Sequence, residues 1–169
     1  MRKSALLIAT ISVLLAVSCK KDVVLTNFDT SLQTWETFKT SANNSYVYTT
    51  KSQGWTDDST RITVVNGKVT NRDYFIFVHE PATNAGKRVA SPQWKETAAD
   101  LASHKEGFDA YTMDQLYEKA KNVWLAVDKK TNDMRFETNN AGIISLVGYE
   151  PKGVSDAFTG IAITSVTKL

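Results

Sequence analysis

Hydrophobic positions recur along this chain at two different periods, and each change of period marks an element. Leu32, Trp35 and Phe38 repeat at helical spacing behind Asp29, Thr30 and Ser31, residue types suited to a helix N-cap. The spacing predicts a helix over 29–42. From Ser45 the period falls to two. Tyr46-Val47-Tyr48-Thr49-Thr50 and Arg61-Ile62-Thr63-Val64-Val65 are rich in aromatic and β-branched residues and read as strands. Asn66-Gly67 follows, both residue types tolerant of positive φ, and predicts a tight hairpin into a third strand through Tyr74–Val78. Thr112-Met113-Asp114-Gln115 has the form of a capping box. Leu116, Ala120, Val123 and Trp124 then continue an amphipathic helix to about Val127. Met134–Thr138, Ile143–Tyr149 and Gly160–Val166 complete a set of six strands, the first two separated by the Asn139-Asn140-Ala141-Gly142 turn.

The stretch 79–110 fits neither period. It holds Pro81, Pro92 and Gly86 among small polar residues. Ser91-Pro92 can open a short helix, because proline suits the first helical turn, with Trp94, Ala98 and Leu101 on one face. Thirty residues without structure are improbable in a compact domain, so an ordered excursion is expected, with a lid as the alternative. The expected fold is therefore α+β: a mostly antiparallel sheet of about five or six strands, two main helices on one face, and an irregular excursion at about 79–110.

The opening residues follow a different logic. Met1-Arg2-Lys3 precede an apolar run, Ala5–Val17, which is too short for a bilayer-spanning helix of about 20 residues. A basic head, a short apolar stretch and small residues at its end describe a secretory signal. Leu15-Ala16-Val17-Ser18-Cys19 resembles the bacterial lipobox, in which the cysteine is diacylated and becomes the mature N-terminus; palmitate is a typical acyl group. The alternatives are a plain cleaved signal with a free thiol, or a short membrane anchor. The resulting division is a signal over 1–18, a lipid anchor and tether over 19–28, and one domain over 29–169. Two or three acyl chains would hold such a domain firmly, at about 0.8 kcal/mol per buried methylene.

Charge then narrows the partners. The leader contains Arg2 and Lys3 and no acid, so the chain's 20 basic and 18 acidic residues balance once it is removed. A nucleic-acid partner is not expected from a neutral domain without a basic stripe. Cys19 is the single cysteine, so the domain folds without disulfides.

Several stretches together resemble a family of small secreted and lipid-anchored domains of unknown function from bacteria of the Bacteroidetes type. They are SYVYTT (45–50), ITVVNGKV (62–69), TMDQLYEKA (112–120), MRFETNNAGIISLVGY (134–149) and GIAITSV (160–166). The Ser-Cys-Lys-Lys-Asp junction is similar to those of Bacteroidetes lipoproteins. The resemblance implies export and attachment to the outer membrane, on its periplasmic face or at the cell surface. Ile143 stands where family members often place proline. Asp58-Ser59-Thr60 also resembles the short O-glycosylation signal of this group.

No pattern of reactive residues stands out. His79 and His104 are 25 positions apart and no thiol is left to join them, so no metal or other cofactor is expected. There is no Gly-x-Ser-x-Gly elbow and no phosphate-binding glycine loop, so no catalytic residue is assigned. Aromatic side chains are the remaining resource, with four tryptophans and six tyrosines. Trp35 and Trp124 fall on helix stripes and are expected in the core. Trp55, Tyr74, Trp94, Arg135 and Tyr149 are the candidate binding surface, since interfaces favour Tyr, Trp and Arg. The expected function is a non-catalytic, lipid-anchored binding or inhibitor-like module for an envelope protein or small ligand. The alternatives are an envelope hydrolase with 79–110 as its lid, and an accessory subunit of an envelope complex.

Overall fold

A computed structural model describes residues 23–52, 57–79 and 88–169, with no side-chain detail for His79 and Arg88. Helix α1 (Val23–Ser41) leads into four consecutive strands: β1 (Tyr46–Lys51), β2 (Asp58–Val65), β3 (Lys68–His79) and β4 (Arg88–Thr97). Helix α2 (Met113–Lys119) follows, and its last turn relaxes into a π-helical turn over Ala120–Trp124. Strands β5 (Asn132–Thr138), β6 (Ile144–Pro151) and β7 (Thr159–Lys168) end the chain. All seven strands form one antiparallel sheet in the order β4-β3-β2-β1-β7-β6-β5.

This overturns the expected fold of five or six strands with two main helices. The sheet has seven strands, and the second helix is only seven residues long before its π turn. The added strand, β4, runs through the predicted excursion, where Ser91-Pro92 suggested a helix. Proline is tolerated there because β4 is an edge strand, where a missing N–H costs no ladder hydrogen bond. The first helix also begins earlier than its capping residues suggested, so residues 23–28, expected within the tether, are helical.

Local chemistry explains the elements that matched. Asn66 and Gly67 adopt φ of 48° and 76° at the β2–β3 turn, the left-handed pair that a twisted hairpin needs. Thr112 Oγ1 accepts from Gln115 N at 3.3 Å, while Thr112 N donates to Gln115 Oε1 at 2.8 Å, closing the capping box of α2.

Both helices cover one face of the sheet. Trp35 is fully buried there, its ring edge-on to Tyr46 at 4.9 Å, and its Nε1 donates to Asp114 Oδ1 at 2.7 Å. Buried tyrosine hydroxyls brace the layers. Met113 N donates to the Tyr46 hydroxyl at 2.9 Å, and the Tyr48 hydroxyl donates to the Tyr111 carbonyl at 2.5 Å. The Tyr117 hydroxyl meets Ser31 Oγ at 2.8 Å. Burial pushes all three phenols above their ordinary pKa, so they serve as neutral struts at physiological pH.

The opposite face is open and mostly polar. Arg135, Gly148 and Gly160 lie abreast on β5, β6 and β7. The two glycines leave room for Phe158, whose ring receives the Arg135 guanidinium at 5.7 Å. A Cβ at Gly148 would fall 2.3 Å from the Thr159 carbonyl oxygen and 2.5 Å from the Phe158 ring. Gly148→Ala should therefore destabilise the domain by about 1–3 kcal/mol, as overpacked sites do. Urea unfolding would show this as a lower midpoint with an unchanged slope.

Candidate functional site

The most unusual chemistry in the fold lies between β3, β4 and the segment 98–111 that returns to α2. Arg72 and Glu96 face each other across the β3–β4 ladder, with side chains 2% and 0% exposed. The guanidinium forks onto the carboxylate, Nε to Oε2 at 2.8 Å and Nη2 to Oε1 at 2.7 Å. Two of its three remaining hydrogens reach the His104 carbonyl at 2.7 Å and the Phe108 carbonyl at 3.3 Å. Glu96 also accepts from the backbone amides of Ala102 and His104, both at 2.8 Å, and from Ser103 Oγ at 3.2 Å. A buried ion pair stabilises a fold only when its remaining donors and acceptors are also met. Here four of the five guanidinium hydrogens and both carboxylate oxygens are met, and the segment 98–111 is tied to the sheet as a result.

Burial alone would raise the Glu96 pKa. The Arg72 fork and the His104 and Ala102 amides outweigh it, holding the carboxyl down to about 2. A group so depressed contributes stability in full above its ordinary value of 4.5, and that contribution is lost as pH falls toward 2.

Above this pair lies an aromatic stack. The Trp94 ring receives the Arg72 guanidinium at 4.7 Å, and stacks on His104 at 4.5 Å and Tyr74 at 5.3 Å. Gly107, at φ +77°, lets the returning segment approach; a Cβ there would be 2.9 Å from Tyr74 and 2.7 Å from Thr60. Pairing shifts by one residue between Tyr74, opposite Trp94, and Phe75, opposite Pro92, so Gln93 is the extra residue of a bulge. Bulges re-aim neighbouring side chains. Trp94 accordingly packs with the helix-side residues yet also lines a groove with Phe75, Pro92, Asp73, Arg61 and Lys95.

That groove has a volume of about 340 Å³, within the range of small-ligand sites. Its polar row runs across three strands, since Arg61 and Lys95 are the register partners of Asp73 on β2 and β4. Arg61 binds Asp73 Oδ2 through Nη2 at 2.7 Å and Nε at 3.2 Å, and lies 5.5 Å over the Phe75 ring. Asp73 is 5% exposed, and among the described residues neither its Oδ1 nor Trp94 Nε1, both closed to solvent, has a hydrogen-bond partner. Buried polar atoms are seldom left unpaired. One orphaned acceptor and one orphaned donor among the side chains lining one groove distinguish it from the others. The cleft between α1 and α2 is as large, about 380 Å³, but Lys39 there is bonded to Glu36 and Asp114.

Of the candidate surface residues, the structure unites Tyr74 and Trp94. Tyr74 is the buried member of the stack, and burial, with the Asp58 carboxylate next, raises its pKa. Arg135 sits at the far side of the sheet on the open face, bonded to Glu150 at 3.2 Å and Glu137 at 3.4 Å. Tyr149 packs half-buried against the core. Trp55 and Cys19 lie outside the described residues. The resemblance of Asp58-Ser59-Thr60 to a glycosylation signal meets buried hydroxyl residues, Ser59 at 6% and Thr60 at 1% exposure. Sequence reasoning missed Arg61, Asp73, Phe75, Pro92, Arg72 and Glu96. Their signal was positional and became visible only once β4 was known to pair with β3. Among the described residues no group of three potential ligands could hold a metal ion. No family model, curated protein or solved structure matches the chain.

Glu96→Gln should lower stability at neutral pH by about 3 kcal/mol, because Arg72 stays buried without its counter-charge. It should also flatten the loss of stability between pH 4.5 and 2 that the parent shows. Chemical denaturation at stepped pH measures both effects.

Proposed function

We propose that this chain is a lipid-anchored protein of the bacterial outer membrane, at its periplasmic face or surface, and that it works by binding rather than catalysis. The ligand is a small polar molecule with one flat apolar face, held in the Trp94 groove. The observation that carries the reading is a groove walled by Phe75, Pro92 and Trp94 and bordered by the Arg61–Asp73–Lys95 row. A ligand with its flat face on Phe75 and Pro92 and its polar groups toward Arg61 and Lys95 would fit this groove, above the two orphaned atoms, which lie beneath its surface. The Arg72–Glu96 pair holds the indole in place beforehand, and preorganised sites lose less free energy on binding.

Binding is preferred to hydrolysis for a chemical reason. His104 Nδ1 lies 3.1 Å from Glu96 Oε1, the nearest approach to an acid–base pair in the segment proposed as a lid. Glu96 is fully occupied as an acceptor and strongly acidic, so it is a poor proton shuttle. The accessory-subunit reading draws on Ile76 and Val78, exposed by 37% and 44% along β3, as a small apolar contact.

The small-molecule fraction of an envelope extract, together with a panel of monosaccharides, amino sugars and aryl carboxylates, can be screened by ligand-observed NMR. A true ligand should be lost from Trp94→Ala, weakening by about 2 kcal/mol or some thirtyfold in Kd. It should also weaken in Asp73→Asn. If no compound binds the parent protein, or if binding survives in Trp94→Ala, the groove is not the site.

A further inference from the structure

The charges around the Trp94 groove extend the binding reading, and the inference drawn from them rests on it. Arg61 and Lys95 stand on either side of Asp73, on β2 and β4, so two cations and one carboxylate border the groove. Asp73 is committed to one of the two. Its Oδ2 accepts from both Nε and Nη2 of Arg61, whereas among the described residues Lys95 takes part in no ion pair. Glu96, the next residue in the chain, is buried on the helix side and bound to Arg72. The groove therefore keeps one positive charge that its own lining does not balance.

Arg61 also has donors left over. Nε and one hydrogen of Nη2 go to Asp73, while Nη1 makes no hydrogen bond among the described residues, and half of the side chain is exposed. The free edge of the guanidinium is thus the one shared by Nη1 and Nη2. A planar pair of donors of this kind matches the two oxygens of a carboxylate.

Strand alternation places the apolar part beside the charge. Asp73, Phe75 and Phe77 share one face of β3, each two-residue step being about 7 Å. Across the ladder Asp73 faces Lys95, Phe75 faces Pro92 and Phe77 faces Ala90. Cations border one end of the groove and rings wall the next step along. A second negative charge on a ligand would be repelled by Asp73, which already lies in the charged row.

We propose that the groove takes a small monoanion, a carboxylate joined by a short spacer to a flat apolar group. The carboxylate bridges the free edge of Arg61 and the ammonium of Lys95, and the flat group lies on Phe75 and Pro92. Amines are disfavoured by the same two cations.

The test uses the full chain and two matched sets of compounds: cinnamate, cinnamamide and cinnamylamine, and indole-3-propionate with its amide and amine. Ligand-observed NMR gives a Kd for each at low and high salt. Both acids should bind several-fold more tightly than their amides, with the amines weakest. Lys95→Gln, at an exposed side chain, should weaken the acids about two- to fivefold, the worth of an exposed ion pair, and leave the amides unchanged. High salt should act in the same direction. If amides or amines match the acids and Trp94→Ala abolishes their binding, the groove stands and the anion assignment falls. It falls equally if the acids bind with the same affinity to Lys95→Gln. Failure of both acids to bind also overturns it, and the wider screen of extract and sugars then decides the groove separately.

Discussion

The buried Arg72–Glu96 pair is the constraint on which the outer half of this molecule depends. An unpaired charge inside a protein is strongly destabilising, so each partner dictates where the other and its auxiliary donors must lie. Glu96 draws in the amides of Ala102 and His104, and Arg72 draws in the carbonyls of His104 and Phe108. The irregular path after β4 is shaped by these demands rather than by a hydrophobic pattern of its own. His104 then comes to lie on Trp94, and Trp94 on Tyr74. One ion pair thereby converts an edge hairpin and a long connection into a rigid wall.

The inner half is organised differently. Trp35, Tyr46, Tyr48 and Tyr117 fill the space between helices and sheet, and each finds a polar partner for its polar atom. Aromatic cores carry this requirement, since a buried hydroxyl or indole N–H needs an acceptor or donor. Asp114 answers for Trp35 and for Lys39 together, so α1 and α2 are joined by charge as well as by packing. Trp94 is the exception, a largely packed indole whose N–H has no partner among the described residues.

Elements with a local cause were legible in the sequence. The Asn66-Gly67 turn, the Thr112–Gln115 capping box and the burial of Trp35 each follow from a few neighbouring residues. What could not be read depended on partners far along the chain. β4 was hidden by Pro92, a residue that argues against a strand until that strand is known to lie at an edge. Arg72 and Glu96 are 24 positions apart, with nothing local to mark them as partners. Without β4 the row Arg61–Asp73–Lys95 could not be drawn, and the groove stayed out of sight. Tyr74 and Trp94 were chosen for their residue types, and register alone explains why they belong together while Arg135 and Tyr149 do not.

The sheet order has one more consequence, for the way the chain is built. Strands β1 to β4 are neighbours in sequence and can pair as they appear, as can β5 to β7. The two groups meet only through β1 and β7, whose register joins Tyr46 to Lys168, and Leu169 N donates to the Ser45 carbonyl at 3.2 Å. This central seam closes a loop of more than a hundred residues, a slow and entropically costly step. A chain that emerges N-terminus first cannot close it until β7 is free. Until then each half carries an unfinished edge, and a ribosome that still holds β7 also holds back the fold.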